Sequence, residues 1–148
     1  MAVIDHTKKQ KPFMEDRDED IFIGIDSPLH VGIGGAFQGT TTVLAATKNN
    51  IRNLLLTERG ERVMQPRLGV KLRKYLFEPF TDDTSLAIIN QVVETFSYWL
   101  PYVTITKLEV DMSTTLDDSH YSTLKIYIEF TLDKKIGSTE SVQIEIGE

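Results

Sequence analysis

The nine residues LKIYIEFTL, 124–132, alternate strictly between apolar and polar side chains. Successive side chains of a β-strand point to opposite faces, so all the apolar residues of this segment share one face. The segment VQIEIGE, 142–148, repeats the alternation with Val142, Ile144 and Ile146. Two such strands predict an antiparallel sheet that is covered on one side and open to water on the other.

The segment VTITKLEVDM, 103–112, breaks this alternation once. Its apolar side chains move from odd to even positions between Ile105 and Leu108. A change of parity inside a strand is typical of a β-bulge, which we predict near Thr106–Lys107. Together with the two segments above, this one predicts a sheet of about three strands.

Two segments upstream of the sheet show the three- and four-residue spacing of amphipathic helices. The first is expected to begin at Thr40 or Thr41, either of which can cap a helix, and to stop at Gly60. Its predicted buried face comprises Leu44, Thr47, Ile51, Leu54, Leu55 and Glu58. The second follows the capping cluster TDDT, 81–84, and ends at Pro101. Its predicted buried face comprises Ile89, Val92, Val93, Phe96 and Leu100.

The rest of the chain predicts shorter elements. IFIGID, 21–26, is expected to form a strand, and the glycine-rich residues 29–39 are expected to cross as an irregular loop toward the first helix. A short helix is predicted over Val70–Phe77. Residues 1–20, which contain KKQK and EDRDED, predict a flexible arm, and residues 21–148 predict a single domain.

The order of these elements predicts an α+β fold, in which the N-terminal strand and helices pack on a C-terminal antiparallel sheet. With 41% hydrophobic residues, 26% charged residues and a net charge of −6, the composition is that of a globular protein. The absence of cysteine excludes disulfides, zinc-thiolate sites and thiol nucleophiles. No apolar run approaches the roughly 18 residues that span a bilayer.

Positive charge is concentrated in the middle of the chain. Residues 52–77 hold seven bases and two acids, whereas residues 78–148 hold four bases and thirteen acids. The basic segment can bind nucleic acid, an acidic protein or the acidic half of a neighbouring copy, or it can be a solvated surface. Nucleic-acid binding is disfavoured, because Tyr75 alone is interleaved with these bases.

Motifs for cofactor or metal chemistry are weak. GGAFQGTT, 34–41, resembles a phosphate-binding loop, but Thr40 stands where that loop carries lysine. The three histidines lie far apart in the sequence, at His6, His30 and His120, and do not predict a metal site. We therefore expect neither a cofactor nor a metal.

Two carboxylates could in principle act as the acid and base of a glycosidase. These are Glu58 and Glu61, in the run TERGER. The adjoining Arg59 and Arg62 would favour the ionised carboxylates if they are close in space, whereas a general acid must hold its proton. A structural role for the two carboxylates is therefore favoured over a catalytic one.

The segment GERVMQPRLG, 60–69, predicts a shaped connection between helices. Pro66 has no amide donor and disfavours helical backbone at the preceding residue. Arg62 and Arg67 lie in this connection, where guanidinium groups can hold carboxylates in a fixed, bidentate geometry. Alternatively, Glu61 pairs with one of these arginines and only fixes the loop.

The run NLLLTERGERVMQPRLGVKLRKYLFEP, 53–79, resembles the gene-25-like baseplate wedge family of contractile-tailed phages, which also includes a baseplate component of type VI secretion systems. The shared pattern is LLxTxxGER, then P and G, then a short helix ending in LFEP, and the resemblance covers about residues 40–132. It implies a non-enzymatic virion subunit, assembled in the host cytoplasm, that joins wedge proteins and provides the first attachment ring for the sheath. It also implies a fold similar to the sheath's interlocking domain, in which strands of adjacent subunits complete one sheet.

The family's Glu-Pro-Arg motif falls on Gln65-Pro66-Arg67, where glutamine keeps a carbonyl but loses the charge. The resemblance thus points to a partner-binding set made of Glu61, Arg62, Gln65, Pro66, Arg67 and Gly69. It also suggests a sheath-docking strand that carries Val142, Ile144 and Ile146. That strand is expected at a sheet edge, although Glu145 and Glu148 could equally blunt the edge.

The expected partners are the other baseplate wedge proteins and the tail sheath protein. No nucleic acid, membrane or small-molecule substrate is expected. Two alternatives stay open at this point: a tail-associated, lysozyme-like glycosidase, and a baseplate subunit of a type VI secretion system.

Overall fold

The computed structural model describes residues 21–32, 37–79, 81–115, 121–132 and 139–147. Contacts between residues divide the chain into two units, Met1–Asn49 and Asn50–Glu148. The arm predicted over residues 1–20 lies outside the described residues. The single domain predicted over residues 21–148 stays a prediction.

In the first unit, a small hairpin forms where the sequence predicts one longer strand. Strand β1 (Gly24–Ile25) pairs with strand β2 (Gly39–Thr40) in antiparallel register. The strand predicted over 21–26 is shorter, since only Gly24 and Ile25 of this segment pair with β2. Of the loop predicted over 29–39, residues 33–36 lie outside the described residues, and its last residue, Gly39, begins β2.

Helix α1 (Val43–Leu56) begins and ends away from its predicted limits. Thr42 caps the helix, since its hydroxyl accepts a hydrogen bond from Ala45 N at 3.3 Å. The cap therefore lies one or two residues beyond the two predicted threonines, because β2 includes Thr40. The predicted stop at Gly60 is also wrong, since the helix ends four residues earlier. The predicted buried face is confirmed at Thr47, Ile51, Leu54 and Leu55.

The second unit contains a 3₁₀ helix at Arg73–Phe77, helix α2 (Asp82–Trp99) and strands β3 (Val103–Thr115), β4 (Tyr121–Leu132) and β5 (Thr139–Gly147). The three strands form one antiparallel sheet in the order β3-β4-β5. This arrangement confirms the predicted α+β class and the sheet of three strands. The register shifts between Ile105 and Lys107, which confirms the predicted bulge.

The start of α2 is set by the residues predicted to cap it. The hydroxyl of Thr81 accepts a hydrogen bond from Thr84 N at 3.3 Å. Asp82 and Asp83 occupy the first turn, where negative charge is stabilised by the helix dipole. Both features confirm the prediction for TDDT.

The buried face of α2 is rotated relative to the predicted one. Val93 is 46% exposed and Ile89 is half-buried. The buried residues are Ile88, Val92, Thr95 and Phe96. The rotation places Thr95 inside, where its hydroxyl donates to the backbone oxygen of Gln91 at 2.7 Å. The predicted face of α2 included only apolar residues, so it missed Thr95.

The inner face of the sheet supplies much of the core of the second unit. The buried side chains of β4 are Leu124, Ile126, Ile128, Phe130 and Leu132, and those of β5 are Val142, Ile144 and Ile146. The alternation read from the sequence is confirmed for both strands. Contacts between α2 and β3 tie the helix to the sheet.

Candidate partner-binding loop

Residues 58–69, which we call the arginine loop, lie between α1 and the 3₁₀ helix. Backbone hydrogen bonds hold the two ends of the loop together: Val70 N donates to Thr57 O at 3.0 Å, and Gly60 N donates to Pro66 O at 2.9 Å. Because backbone groups make these bonds, the two bonds do not depend on which side chains the loop carries.

Three further bonds fold the interior of the arginine loop into tight turns. The amide of Glu61 donates to Glu58 O, that of Gln65 to Arg62 O and that of Leu68 to Gln65 O, at 3.1, 3.1 and 3.0 Å. Each bond joins residues three apart, as in a β-turn. The shaped connection predicted from the sequence is therefore confirmed.

Gly69 closes the loop in a conformation that suits glycine. Its φ angle is +101°, and a Cβ atom at this position would overlap the backbone oxygen of Thr57. Gly69 is itself buried. The family resemblance groups Gly69 with the partner-binding residues. Its geometry shows that it helps to shape the loop.

Arg59 fastens the arginine loop to α2. Its Nε donates to Gly69 O at 3.1 Å, and its Nη2 donates to Thr95 Oγ1 at 3.4 Å. Thr95 is only 1% exposed, so this guanidinium reaches a buried hydroxyl. The contact between Arg59 and Thr95 could not be predicted from the sequence, because their 36-residue separation gives no local signal.

The two carboxylates considered for catalysis both serve backbone amides. Glu58 Oε1 accepts a hydrogen bond from Arg73 N at 3.1 Å, and Glu61 Oε2 accepts one from Glu58 N at 3.0 Å. Among the described residues, no ion pair joins Glu61 to an arginine. These carboxylates therefore order the backbone around the loop, as capping groups do at helix ends.

A cavity of about 740 Å³ opens between the arginine loop and α2, and we call it the Arg67 groove. Its lining residues are Arg59, Gly60, Pro66, Arg67, Lys71, Glu94, Thr95, Ser97, Tyr98 and Trp99. Three of these side chains are cationic and one is a carboxylate. Within the described part of the chain, no hydrogen bond or ion pair involves the Arg67 or Lys71 side chain. The groove therefore favours an anionic group.

The α2 side of the Arg67 groove is aromatic. The rings of Tyr98 and Trp99 meet edge to face, with centroids 5.1 Å apart and planes at 80°. Tyr98 is 70% exposed, so its ring is available to another molecule. Aromatic rings beside arginine are typical of the residues that dominate protein–protein binding energy.

Arg62 lines a different cavity, of about 260 Å³, formed with Asn50, Asn53, Leu54, Leu68 and Trp99. The two arginines predicted to act together are thus placed at separate cavities, and Trp99 lines both. Gln65 is exposed, as are Glu61 and Pro66. The structure therefore brings the predicted residues onto one loop without making a single clamp of Arg62 and Arg67.

Strand β5 pairs only with β4 among the described strands, so it forms an edge of the sheet. Val142, Ile144 and Ile146 are at most 9% exposed, so these side chains face the core. The outer edge of β5 can therefore offer another strand its backbone N–H and C=O groups, together with the side chains that point away from the core. Of the two glutamates considered for blunting this edge, Glu145 lies 3.5 Å from Lys125 on β4, and Glu148 lies outside the described residues.

The opposite edge, β3, carries two features that discourage strand addition. One is the bulge between Ile105 and Lys107. The other is a charged pair, in which Lys107 Nζ lies 2.8 Å from Glu109 Oε1. The hydrogen bond to Glu109 raises the pKa of Lys107, so the two side chains stay ionised as a pair. Bulges and edge lysines are common protections against unwanted pairing.

The described residues contain no group of three or more side chains suited to hold a metal ion. None of their helices is long and apolar enough to cross a membrane.

The fold and the loop define a small α+β protein with an ordered cationic loop and a sheet edge, at β5, that pairs with no further described strand. The chain belongs to the family described as baseplate wedge protein gp25, whose profile matches residues 42–135. It is therefore a structural subunit of the baseplate of phage or phage-like contractile particles, and its partners are other baseplate components.

Solved structures share this fold. A protein from Geobacter sulfurreducens, provisionally described as a tail lysozyme, is 23% identical with a TM-score of 0.58, covering 74% of this chain and 94% of that one. A chain of the anti-feeding prophage baseplate is 17% identical with a TM-score of 0.54, covering 82% and 81%. A chain of the type VI secretion baseplate complex is 12% identical with a TM-score of 0.54, covering 71% and 93%. No curated protein matches the chain.

Proposed function

We propose that this subunit joins the wedge proteins of a phage contractile-tail baseplate and anchors the first sheath ring by strand exchange. It acts through contacts and not as an enzyme, and it uses no cofactor, nucleic acid, membrane or small-molecule substrate. It assembles in the host cytoplasm and functions in the virion.

The observation that carries the wedge-joining role is the position of Arg67. Its exposed side chain lines the Arg67 groove on a loop that backbone bonds already hold in shape. A preorganised loop loses little conformational entropy on binding, which favours affinity. A guanidinium in this setting suits a carboxylate of a partner protein, because the two groups match in bidentate geometry.

The geometry gives little support to the glycosidase alternative. A glycosidase places two carboxyl groups about 5 to 10 Å apart across the scissile bond. The Arg67 groove contains one carboxylate, Glu94, and two arginines. Glu58 and Glu61 accept hydrogen bonds from backbone amides instead of facing each other across a cleft.

The edge of β5 supports the sheath-anchoring role. Its register with β4 is continuous from Thr139 to Gly147, without the bulge that interrupts β3. Added strands bind mainly through backbone hydrogen bonds, so the buried Val142, Ile144 and Ile146 need not touch the sheath. Their burial keeps β5 in place while its outer edge accepts a strand.

The same surfaces would serve a type VI secretion baseplate, and the fold does not separate the two settings. The phage tail is the setting that we propose. Binding to a phage sheath subunit, and not to a secretion sheath subunit, is the result that distinguishes them.

Alanine in place of Arg67 is expected to weaken binding to a wedge neighbour by at least about tenfold, because the partner's carboxylate loses its counter-charge. The affinity is measured by titration calorimetry with purified wedge proteins of the same particle. The thermal midpoint should stay unchanged, since no described residue bonds to this side chain.

Arg73→Ala provides the matched control. Arg73 carries the same charge and is also exposed, but it lines neither cavity. We expect less than about a threefold effect, as for a charge at the rim of an interface. Equal affinities for the wild type and Arg67→Ala would contradict the wedge-joining role of this arginine.

A further inference from the structure

Two large apolar side chains stand at the tip of the arginine loop. Val63 is 93% exposed and Met64 is 92% exposed, the highest values among the large hydrophobic residues that the structure describes. Single exposed apolar residues are common on proteins, but two adjacent and almost fully exposed ones are not accounted for by the fold.

The turn that carries Val63 and Met64 does not require apolar residues. They occupy its two central positions, since Gln65 N donates to Arg62 O at 3.1 Å across them. Glycine, proline, asparagine, aspartate and serine are favoured at such positions. A valine and a methionine are therefore better explained by something that they contact outside this chain.

We propose that Val63 and Met64 form an anchor that inserts into an apolar pocket with an acidic rim on a neighbouring baseplate protein. This inference rests on the proposed wedge-joining function and assigns the partner's chemistry to the same loop. The surrounding backbone bonds hold the anchor in position before binding, so that little conformational freedom is lost.

The acidic rim follows from the charges beside the anchor. Arg62 precedes Val63 directly, and Arg67 follows Met64 by three residues. Neither guanidinium has a hydrogen-bond or ion-pair partner among the described residues. The only acidic side chain of the loop tip, Glu61, is already engaged with Glu58 N. A partner pocket rimmed by carboxylates would complement this pattern.

A protein partner is favoured over a lipid surface. Peripheral membrane segments usually present a broad apolar helical face, whereas this tip offers two side chains on one turn. Methionine, which is unbranched beyond Cβ and flexible, also adapts well to the irregular shape of a protein pocket.

The test is a double variant, Val63→Ser with Met64→Ser, compared with Leu86→Ala and Val93→Ala on α2. The control pair is also apolar and exposed, at 56% and 46%, but lies outside the loop. In calorimetric titrations with purified wedge proteins of the same particle, we expect the tip variant to lose at least about 30-fold in affinity. The control should lose less than about threefold, and both variants should keep the wild-type thermal midpoint.

The other outcomes overturn the proposal in distinguishable ways. Wild-type affinity of the tip variant, with weak binding by Arg67→Ala, would mean that the loop joins wedges without this anchor. Wild-type affinity of both the tip variant and Arg67→Ala would place the wedge contact outside the arginine loop. Failure of the wild-type protein to bind any wedge protein would overturn the proposed function itself. If the tip variant loses only its binding to phosphatidylserine vesicles, the tip is assigned to a lipid surface. If the tip variant loses only self-association, measured by light scattering of the protein alone, the tip is assigned to a second copy of this chain.

Discussion

Alanine in place of Gly69 is expected to lower the free energy of unfolding by about 3 kcal/mol, because the new side chain meets two separate costs. The φ angle of +101° disfavours any residue with a Cβ, by about 1 kcal/mol. The Cβ would also overlap the backbone oxygen of Thr57. That oxygen accepts the bond from Val70 N that closes the arginine loop, so it cannot move away freely.

Gly60→Ala separates these two costs. Gly60 has a similar φ angle of +98°, but no atom lies within 4 Å of a Cβ built there. We expect this variant to lose only about 1 kcal/mol. Urea unfolding followed by the fluorescence of Trp99, the single tryptophan, measures both variants. Equal losses would contradict the claim that close approach to Thr57 shapes the loop.

Truncating Phe130 to alanine is expected to cost about 4 kcal/mol, since the ring is fully buried and its removal leaves a cavity. Phe130 lies on β4, the central strand, and shares its inner face with Ile128 and Leu132. The two edge strands, β3 and β5, both pair with β4. Loss of packing at Phe130 is therefore expected to loosen β5 and the edge that we assign to the sheath.

Thr131→Ala is the matched control, because Thr131 is the next residue along β4 and points to the opposite, half-buried face. We expect a loss of less than about 1 kcal/mol. The same urea unfolding experiment compares the two variants. If both lose the same amount, the inner face of β4 is not the core.

The sheet could be predicted because each strand carries its own signal. The alternation of Leu124 through Leu132 marks the buried face without knowledge of any other element. One break in parity predicts a bulge near Thr106–Lys107, where the register shifts between Ile105 and Lys107. Helix ends were less predictable. Thr40 is a good capping residue, but its pairing with Gly24 in the hairpin leaves the cap to Thr42.

The rotation of α2 shows where local pattern fails. Hydrophobic spacing points to Val93, whereas the helix buries Thr95. Thr95 is buried with its hydroxyl satisfied by Gln91 and Arg59, and the second of these contacts spans 36 residues. A polar group can be buried when it finds such partners, and sequence periodicity contains no record of them.

Part of the candidate site could be found from the sequence and part could not. The run around Pro66 and Arg67 identified the loop through its resemblance to a family, which the profile match over residues 42–135 confirms. The far wall of the groove, with Tyr98 and Trp99, comes from α2 some thirty residues later and gave no signal. Likewise, Val63 and Met64 are visible in the sequence, but their exposure depends on the turn that the backbone makes.

One measurement tests the central claim most directly. The purified protein is mixed with its candidate wedge neighbours and a phage sheath subunit, complex formation is followed by light scattering, and the same sample is assayed on peptidoglycan. We predict a stable complex and no peptidoglycan cleavage. Cleavage that disappears in Glu58→Gln or Glu61→Gln, with no complex formed, would contradict the assignment of this chain as a structural baseplate subunit.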